Sequence, residues 1–95
     1  GILSDFLLMA NYPNPFNSNT IIPFYLKNKN LVQLTIYNLK GELIAKLTDD
    51  YFTPGYHSII WNGCDQYRQL SPTGIYFAEI RVQGRTQTRK MLCIK

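Results

Sequence analysis

The segment Asn11-Tyr12-Pro13-Asn14-Pro15-Phe16-Asn17 constrains the fold of this chain more than any other stretch. Each proline fixes its φ at about −65° and lacks a backbone N–H, so two prolines this close together exclude both a helix and an interior strand. The aromatic side chains of Tyr12 and Phe16 flank this rigid piece and are expected to pin it against a core. A β-type run, Thr20 to Leu26, follows directly. The segment therefore predicts an ordered loop that opens a β domain.

Alternation of apolar and polar residues with a period of two dominates the rest of the chain, without a helical period. Turn-forming Gly, Pro and Asn residues separate the apolar runs. The predicted strand segments cover residues 6–9, 20–26, 32–37, 43–47, 57–61, 74–82 and 86–95. Short strands with such turns predict an all-β fold, a seven-stranded antiparallel immunoglobulin-like β-sandwich. The Cys…Trp…Cys signature of antibody domains is absent, so the prediction concerns architecture only.

Individual side chains refine this prediction. Pro23 interrupts the second strand, which predicts an edge position or a bulge there. His57, Ile59 and Trp61 share one face of a strand and are expected to point inward. The adjacent acids Asp49-Asp50 are expected to form a solvated turn.

Length and charge set the next limits. Ninety-five residues are too few for two cores, so residues 1–95 are predicted to form one domain. The net charge is +4, and no acid occurs from residue 81 to the last residue, Lys95. Such a basic strand end suits an acidic partner, a phosphate-bearing lipid or a nucleic acid, but charges also keep an edge strand from pairing with another chain. Nucleic acid is not predicted, because the basic residues do not alternate with aromatics.

The sequence offers little for catalysis or metal binding. His57 is the only histidine, whereas a hydrolase triad needs a histidine beside a nucleophile and an acid in one pocket. Cys64, Asp65 and His57 could be assembled on paper, but the spacings typical of metal sites are missing. No phosphate-cradling glycine loop or dinucleotide fingerprint occurs. We therefore predict a non-catalytic domain with no cofactor and no metal.

Neither the cysteines nor a membrane-spanning segment indicates the cellular compartment of this chain. Cys64 and Cys93 are the only cysteines, too few for a disulfide framework, and a bond between them is not predicted. The sequence has no signal peptide and no apolar stretch long enough to cross a bilayer. An export signal of a secreted protein would therefore lie outside these residues.

The order of six motifs along the chain is itself informative. They are Asn11-Tyr12-Pro13-Asn14-Pro15-Phe16-Asn17, Thr20-x-Ile22-x-Phe24-x-Leu26, Val32-x-Leu34-x-Ile36-Tyr37-Asn38-x-x-Gly41, Gly55-x-His57-x-x-x-Trp61-Asn62-Gly63, Thr73-Gly74-Ile75-Tyr76-Phe77 and Lys90-Met91-Leu92-x-Ile94-Lys95. In this order and spacing they resemble the C-terminal sorting domain, type A, of the bacterial type IX secretion system. That domain is similar in fold to the immunoglobulin-like domain of flagellar hook-capping proteins. The resemblance covers residues 8–95.

The resemblance implies a function without an active site. Domains of this family end the secreted enzymes, adhesins and other cargo of Bacteroidetes and related phyla, and residues 1–95 would be such an end. They direct cargo through the outer membrane, and a surface sortase usually removes them. The implied partners are outer-membrane type IX translocon and sortase components and an N-terminal cargo domain, with no nucleic acid and no transmembrane segment. The implied location is secreted, at the outer membrane or cell surface after transit through the periplasm.

The resemblance also assigns secretion-motif residues. In chain order these are Pro13 and Pro15 of the proline motif, Gly74 and Tyr76 of a Gly-x-Tyr motif, and Lys90 and Lys95 of the lysine-bearing terminal segment. Family members commonly have Trp-Asp-Gly and a later Asp/Gly-rich turn, where this chain has Trp61-Asn62-Gly63 and the segment 64–68. A carboxylate ligand is therefore missing, which argues against a calcium-binding loop.

Two other functions stay open from the sequence. One is an accessory extracellular module that binds carbohydrate or protein, with Trp61, Tyr56 and Tyr67 as a stacking surface. The inward register of Trp61 favours a core position instead. The other is a structural immunoglobulin-like spacer or a flagellar hook-capping immunoglobulin-like domain.

The last strand suggests how a sorting signal is read. It is basic and is expected to lie at an exposed edge, so a translocon component is expected to pair with it by strand addition. The alternative is that Met91, Leu92 and Ile94 only complete the sandwich.

Overall fold

The computed structural model describes residues 5–95, which form seven β-strands in two antiparallel sheets. In chain order the strands are β1 (Phe6–Leu8), β2 (Thr20–Leu26), β3 (Asn30–Asn38), β4 (Leu43–Phe52), β5 (Gly55–Trp61), β6 (Gly74–Val82) and β7 (Arg85–Cys93). The smaller sheet has the strand order β1-β2-β5, and the larger has the order β4-β3-β6-β7. The predicted seven-stranded antiparallel β-sandwich is confirmed.

The core lies between the two sheets and is built by alternate residues. In β2 the side chains of Ile22, Phe24 and Leu26 are fully buried, while the residues between them face outward. β3 and β6 form the opposite wall with the same alternation. Trp61 is 1% exposed, which confirms its inward register. Removing these large apolar side chains from water is the main favourable contribution to folding.

The prediction that Pro23 marks an edge strand is wrong, because β2 is the central strand of the smaller sheet. Met9 N donates to Pro23 O at 3.0 Å, so the polar backbone groups of Pro23 face the β1 side. β1 ends at Leu8, one residue before Met9. β1 is short, and its last paired residue, Leu8, lies opposite Phe24, one residue after Pro23. The N–H that Pro23 lacks would point beyond that last pair, so this central strand tolerates the proline.

The predicted turn at Asp49-Asp50 is also wrong. β4 continues to Phe52, and Asp49 pairs with Gln33 of β3. Both acids are exposed, because β4 is an edge strand of the larger sheet. Pairing with β3 overrides the low strand propensity of aspartate, and charges at an edge discourage pairing with other chains.

The edge strands β1 and β7 belong to different sheets and meet on one flank of the sandwich. Gln87 accepts a hydrogen bond from Leu8 N at 2.7 Å and donates one to Phe6 O at 3.0 Å. Arg89 Nε donates to Leu8 O at 3.1 Å. Side chains of β7 therefore satisfy the outer backbone groups of Phe6 and Leu8 in β1.

Candidate functional site

The loop with the two prolines, residues 11–16, is held by hydrogen bonds within the N-terminal region. The peptide bonds before Pro13 and Pro15 are both cis. Buried Asn11 donates through Nδ2 to Thr20 Oγ1 at 2.9 Å, and the Thr20 hydroxyl donates to Pro13 O at 3.0 Å. Tyr12 exchanges two backbone hydrogen bonds with Ile21. The loop is thus fixed to the start of β2 by side chains that are themselves buried.

The same loop docks on the end of the last strand. Phe16 N donates to Leu92 O at 3.0 Å, and Ile94 N donates to Phe16 O at 2.9 Å. Asn14 Oδ1 accepts from Leu92 N at 3.0 Å. Phe16 lies opposite Cys93 in a parallel bridge. The loop therefore occupies the outward backbone groups of residues 92 and 94, and the predicted exposed edge is covered there.

An aromatic row under the loop joins three of the sequence motifs. The Phe16 ring is 2% exposed and meets Trp61 edge-on, with the ring centroids 5.5 Å apart. Trp61 in turn meets Tyr76 edge-on at 5.3 Å. Trp61 Nε1 donates to Cys64 O at 3.0 Å, so its polar group is satisfied. The row ties the proline loop, the Trp-Asn-Gly turn and the Gly-x-Tyr motif into one corner.

Tyr76 ends this row with its hydroxyl at the rim of the core. The Oη atom donates to Pro72 O at 2.6 Å, and the side chain is buried. Burial raises the pKa of the Tyr76 phenol above its ordinary value of 10.0, because the charged phenolate is poorly solvated there. The phenol is therefore neutral and a hydrogen-bond donor at physiological pH.

Gly74, the other residue of the Gly-x-Tyr motif, has no comparable structural role. It lies opposite Cys93 at the start of β6. A Cβ at this position would meet no atom within 4 Å. Folding of the described chain does not explain a glycine here.

The two motif lysines are placed differently. Lys95 belongs to the corner: its backbone N donates to Thr73 Oγ1 at 2.9 Å, and its ammonium lies against Gly63. Lys90 lies opposite Phe77 on β7 and is exposed. The corner therefore contains the proline motif, Tyr76 and Lys95, whereas Lys90 lies on the strand that leads to it.

The edge of β7 remains open between residues 86 and 90. Outward backbone groups alternate along the strand, and those of Leu92 bind the loop. The outward groups of Thr86, Thr88 and Lys90 have no hydrogen-bond partner within residues 5–95. The open edge is thus limited to residues 86–90 and does not extend over the whole predicted last strand, residues 86–95.

Sequence reasoning identified Phe16 as an anchor but not what it binds. Tyr12, expected to pin the loop as well, is 55% exposed and is held only through its backbone. The roles of Asn14 and Thr20 as hydrogen-bonding residues were not predicted. The sequence feature that could have indicated these roles was the polar composition around the prolines, but such a composition is common to all turns.

The residues considered for chemistry do not converge on one site. His57 packs between Phe24 and Phe52, and its Nε2 lies 2.7 Å from Thr53 O. Cys64 and Cys93 are free. Within residues 5–95 no three His, Cys, Asp or Glu side chains converge to hold a metal ion. Nor do these residues form a helix that is long and apolar enough to cross a membrane.

Comparison with protein families gives one match over nearly the whole chain. The family model described as "Secretion system C-terminal sorting domain" matches residues 10–95, which include all six motif residues. A comparison with curated proteins gave no match.

Solved structures support the fold. The chain is similar to dimeric latent PorU from Porphyromonas gingivalis, with a TM-score of 0.77 and 16% identity over 97% of this chain and 10% of that chain. It is similar to PorZ from the same organism, with a TM-score of 0.64 and 16% identity over 90% of this chain and 11% of PorZ. FLGD from P. aeruginosa gives a TM-score of 0.64 and 16% identity over 97% and 75% of the two chains. The chain thus spans about a tenth of the PorU and PorZ chains, and the match to FLGD agrees with the expected relationship in fold.

Proposed function

The chain belongs to the family of secretion system C-terminal sorting domains, and we propose that its signal is the folded corner in which the proline loop docks on the last strand. The domain is a non-catalytic sorting signal of type IX secretion, which directs attached cargo to the cell surface or out of the cell. In this proposal Pro13, Pro15, Tyr76 and Lys95 shape the corner. Gly74 and Lys90 lie on surfaces that a partner reads.

The hydrogen bonds between residues 14–16 and 92–94 carry the proposal. They join the loop between β1 and β2 to the residues that end β7, so the corner forms only when the first and last strands have both folded. A receptor that reads this corner would distinguish a completed domain from an unfolded or truncated one. A linear terminal peptide could not supply the same surface.

A reporter export assay tests this directly. One reporter carries residues 1–95 at its C-terminus, and a second carries only residues 85–95, the last strand and its end. We expect the first to reach the cell surface and the second to stay inside the cell. Equal export of the second reporter would show that the signal is a linear peptide.

We further propose that a translocon component of the outer membrane pairs with the open edge of β7. The unpaired backbone groups of Thr86, Thr88 and Lys90 offer donors and acceptors for an added strand. Arg89 and Lys90 give this edge a positive field, which favours an acidic partner segment, whereas the charge of Arg85 is paired with Asp5 at 2.9 Å.

The variant Thr88→Pro tests the role of this edge without disturbing the fold. The Thr88 N–H faces away from β6, so proline removes a donor that the described domain does not use. Thr88→Ala keeps the N–H and serves as the matched control. We expect both variants to fold but only Thr88→Pro to lose export; full export of folded Thr88→Pro would exclude strand addition at this edge.

The remaining partners follow from the sorting role. We propose that an N-terminal cargo domain precedes residues 1–95, which form one domain, and that sortase components separate the two at the surface. Any enzymatic activity of the whole protein would reside in that cargo. Expression of the complete protein, followed by mass analysis of the released cargo, tests whether residues 1–95 are removed.

A further inference from the structure

The outer face of the smaller sheet is unusual in having no charge. β1, β2 and β5 contain no Asp, Glu, Lys or Arg at all. The larger sheet differs, because β4, β6 and β7 all carry charged residues. This contrast follows the sheets rather than the chain order, so it describes a surface of the folded domain.

The uncharged face is also strongly apolar and exposed. Leu7, Tyr12, Tyr56 and Ile60 are 46%, 55%, 76% and 63% exposed. They surround a centre of half-buried residues from β2. The pairings place them on one surface: Leu7 and Tyr56 flank Tyr25 on either side, and Tyr12 and Ile60 flank Ile21.

We infer that this uncharged face binds a second copy of the chain and forms a face-to-face homodimer. A large side chain exposed to this degree presents on the order of 100 Å². With the half-buried residues between them the face offers roughly 600 Å², somewhat less than the ~800 Å² that each partner contributes to a standard protein interface and of the size found in weak, transient ones. The composition also fits, because interface centres are rich in tyrosine and poor in charge.

Charge selects this face for self-association. Each copy has a net charge of +4, so two copies repel one another in most orientations. The outer face of the larger sheet carries charges of both signs, Lys46 and Arg81 beside Asp49 and Glu79. Contact through that face would remove these charges from water, which is costly unless every charge finds a partner. Contact through the smaller sheet opposes no charges. Strands within a few tens of degrees of each other then pack as in a sandwich, with the half-buried residues of the central strand β2 near the centre of the contact.

The inference goes beyond sorting and does not depend on it. Because the area is small, we expect a weak and reversible dimer. Sedimentation equilibrium of residues 1–95 between about 10 µM and 1 mM spans the range expected for such an interface. The weight-average mass should rise from 11.0 kDa toward twice that value.

Two variants locate the contact. Ile60→Lys places a charge on the face, and the two-fold symmetry of a dimer introduces it twice. Leu70→Lys changes a side chain of similar exposure in the loop before β6, outside the smaller sheet. We expect Ile60→Lys to remain at the monomer mass at every concentration and Leu70→Lys to behave as the unmodified chain, with circular dichroism confirming that both are folded.

Three results would overturn the inference. The first is a monomer at 1 mM for the unmodified chain, because even a weak dimer with a dissociation constant of about 1 mM would be partly formed at that concentration. The second is a dimer that Ile60→Lys leaves intact, which would place the contact elsewhere, for example at a sheet edge. The third is equal loss of the dimer in both variants, which would indicate a general charge effect.

Discussion

The side chain of Asn14 accepts the backbone N–H of Leu92 at 3.0 Å across 78 positions of the sequence. This contact and the two backbone hydrogen bonds of Phe16 fix the proline loop to the last strand. The prolines therefore matter through what they position. They hold the carboxamide of Asn14 and the backbone N–H and C=O of Phe16 beside the end of β7.

Asn14→Ala is expected to lower the free energy of unfolding by about 0.5–1 kcal/mol, because the bond to Leu92 N is exposed and water partly replaces it. Urea denaturation followed by tryptophan fluorescence measures this difference. Asn17→Ala is the control, since Asn17 is exposed and makes no side-chain hydrogen bond within residues 5–95. Equal effects of the two substitutions would mean that the contact contributes no stability.

Phe16→Ala is expected to be far more damaging, by about 3–5 kcal/mol, because it empties a buried site beside Trp61. Tyr12→Ala is the matched control from the same loop. Its ring is 55% exposed, so we expect a loss of no more than about 0.5 kcal/mol. Thermal unfolding of both variants checks the difference, and a similar loss for the two would contradict the assigned anchor.

Tyr76→Phe is expected to change how stability depends on alkaline pH. Burial raises the pKa of the Tyr76 phenol in the folded state above 10.0, so the folded state holds this proton more tightly than the unfolded state. The resulting stability is fully present below pH 10 and is lost as the pH rises through the folded-state pKa. Urea midpoints between pH 8 and about 11 should fall less steeply for Tyr76→Phe; parallel profiles would rule out this linkage.

Gly74→Ala tests a motif residue that the fold does not require. Since a Cβ would meet no atom within 4 Å, the variant should fold with an unfolding free energy within about 0.5 kcal/mol of the unmodified domain. We expect export of a fused reporter to fall nevertheless, because the added methyl group lies where a partner would approach. Unchanged export would remove Gly74 from the signal.

Much of the fold was predictable from the sequence because local patterns determine it. The alternation of Ile22, Phe24 and Leu26 sets the inward face of β2, and the same rule places Trp61 in the core. The errors at Pro23 and Asp49 have one cause. Sheet position depends on which strands become neighbours, and that information is not local.

The candidate site was predictable only in part for the same reason. Pro13, Tyr76 and Lys95 were identified through a family resemblance, but nothing in their spacing indicates that they share a corner. Docking of residues 14–16 on residues 92–94 is a contact between segments that are far apart in the sequence. Without a repeating pattern, the sequence carries no signal for such a contact.

The most direct test of the central claim concerns the N–H of Ile94, which donates to Phe16 O at 2.9 Å and lies just beyond the end of β7. Ile94→Pro removes this donor and weakens the docking of the loop without touching the ladder between β6 and β7, while Ile94→Ala keeps the donor. Both variants are fused to the same reporter after circular dichroism has shown that they fold. If the lost hydrogen bond destabilises the docked state by about 1.4 kcal/mol, the ratio of docked to undocked loop falls about tenfold. We then expect export of Ile94→Pro to fall by up to about tenfold, with Ile94→Ala near the unmodified level. Full export of folded Ile94→Pro would show that the docked corner is not the signal.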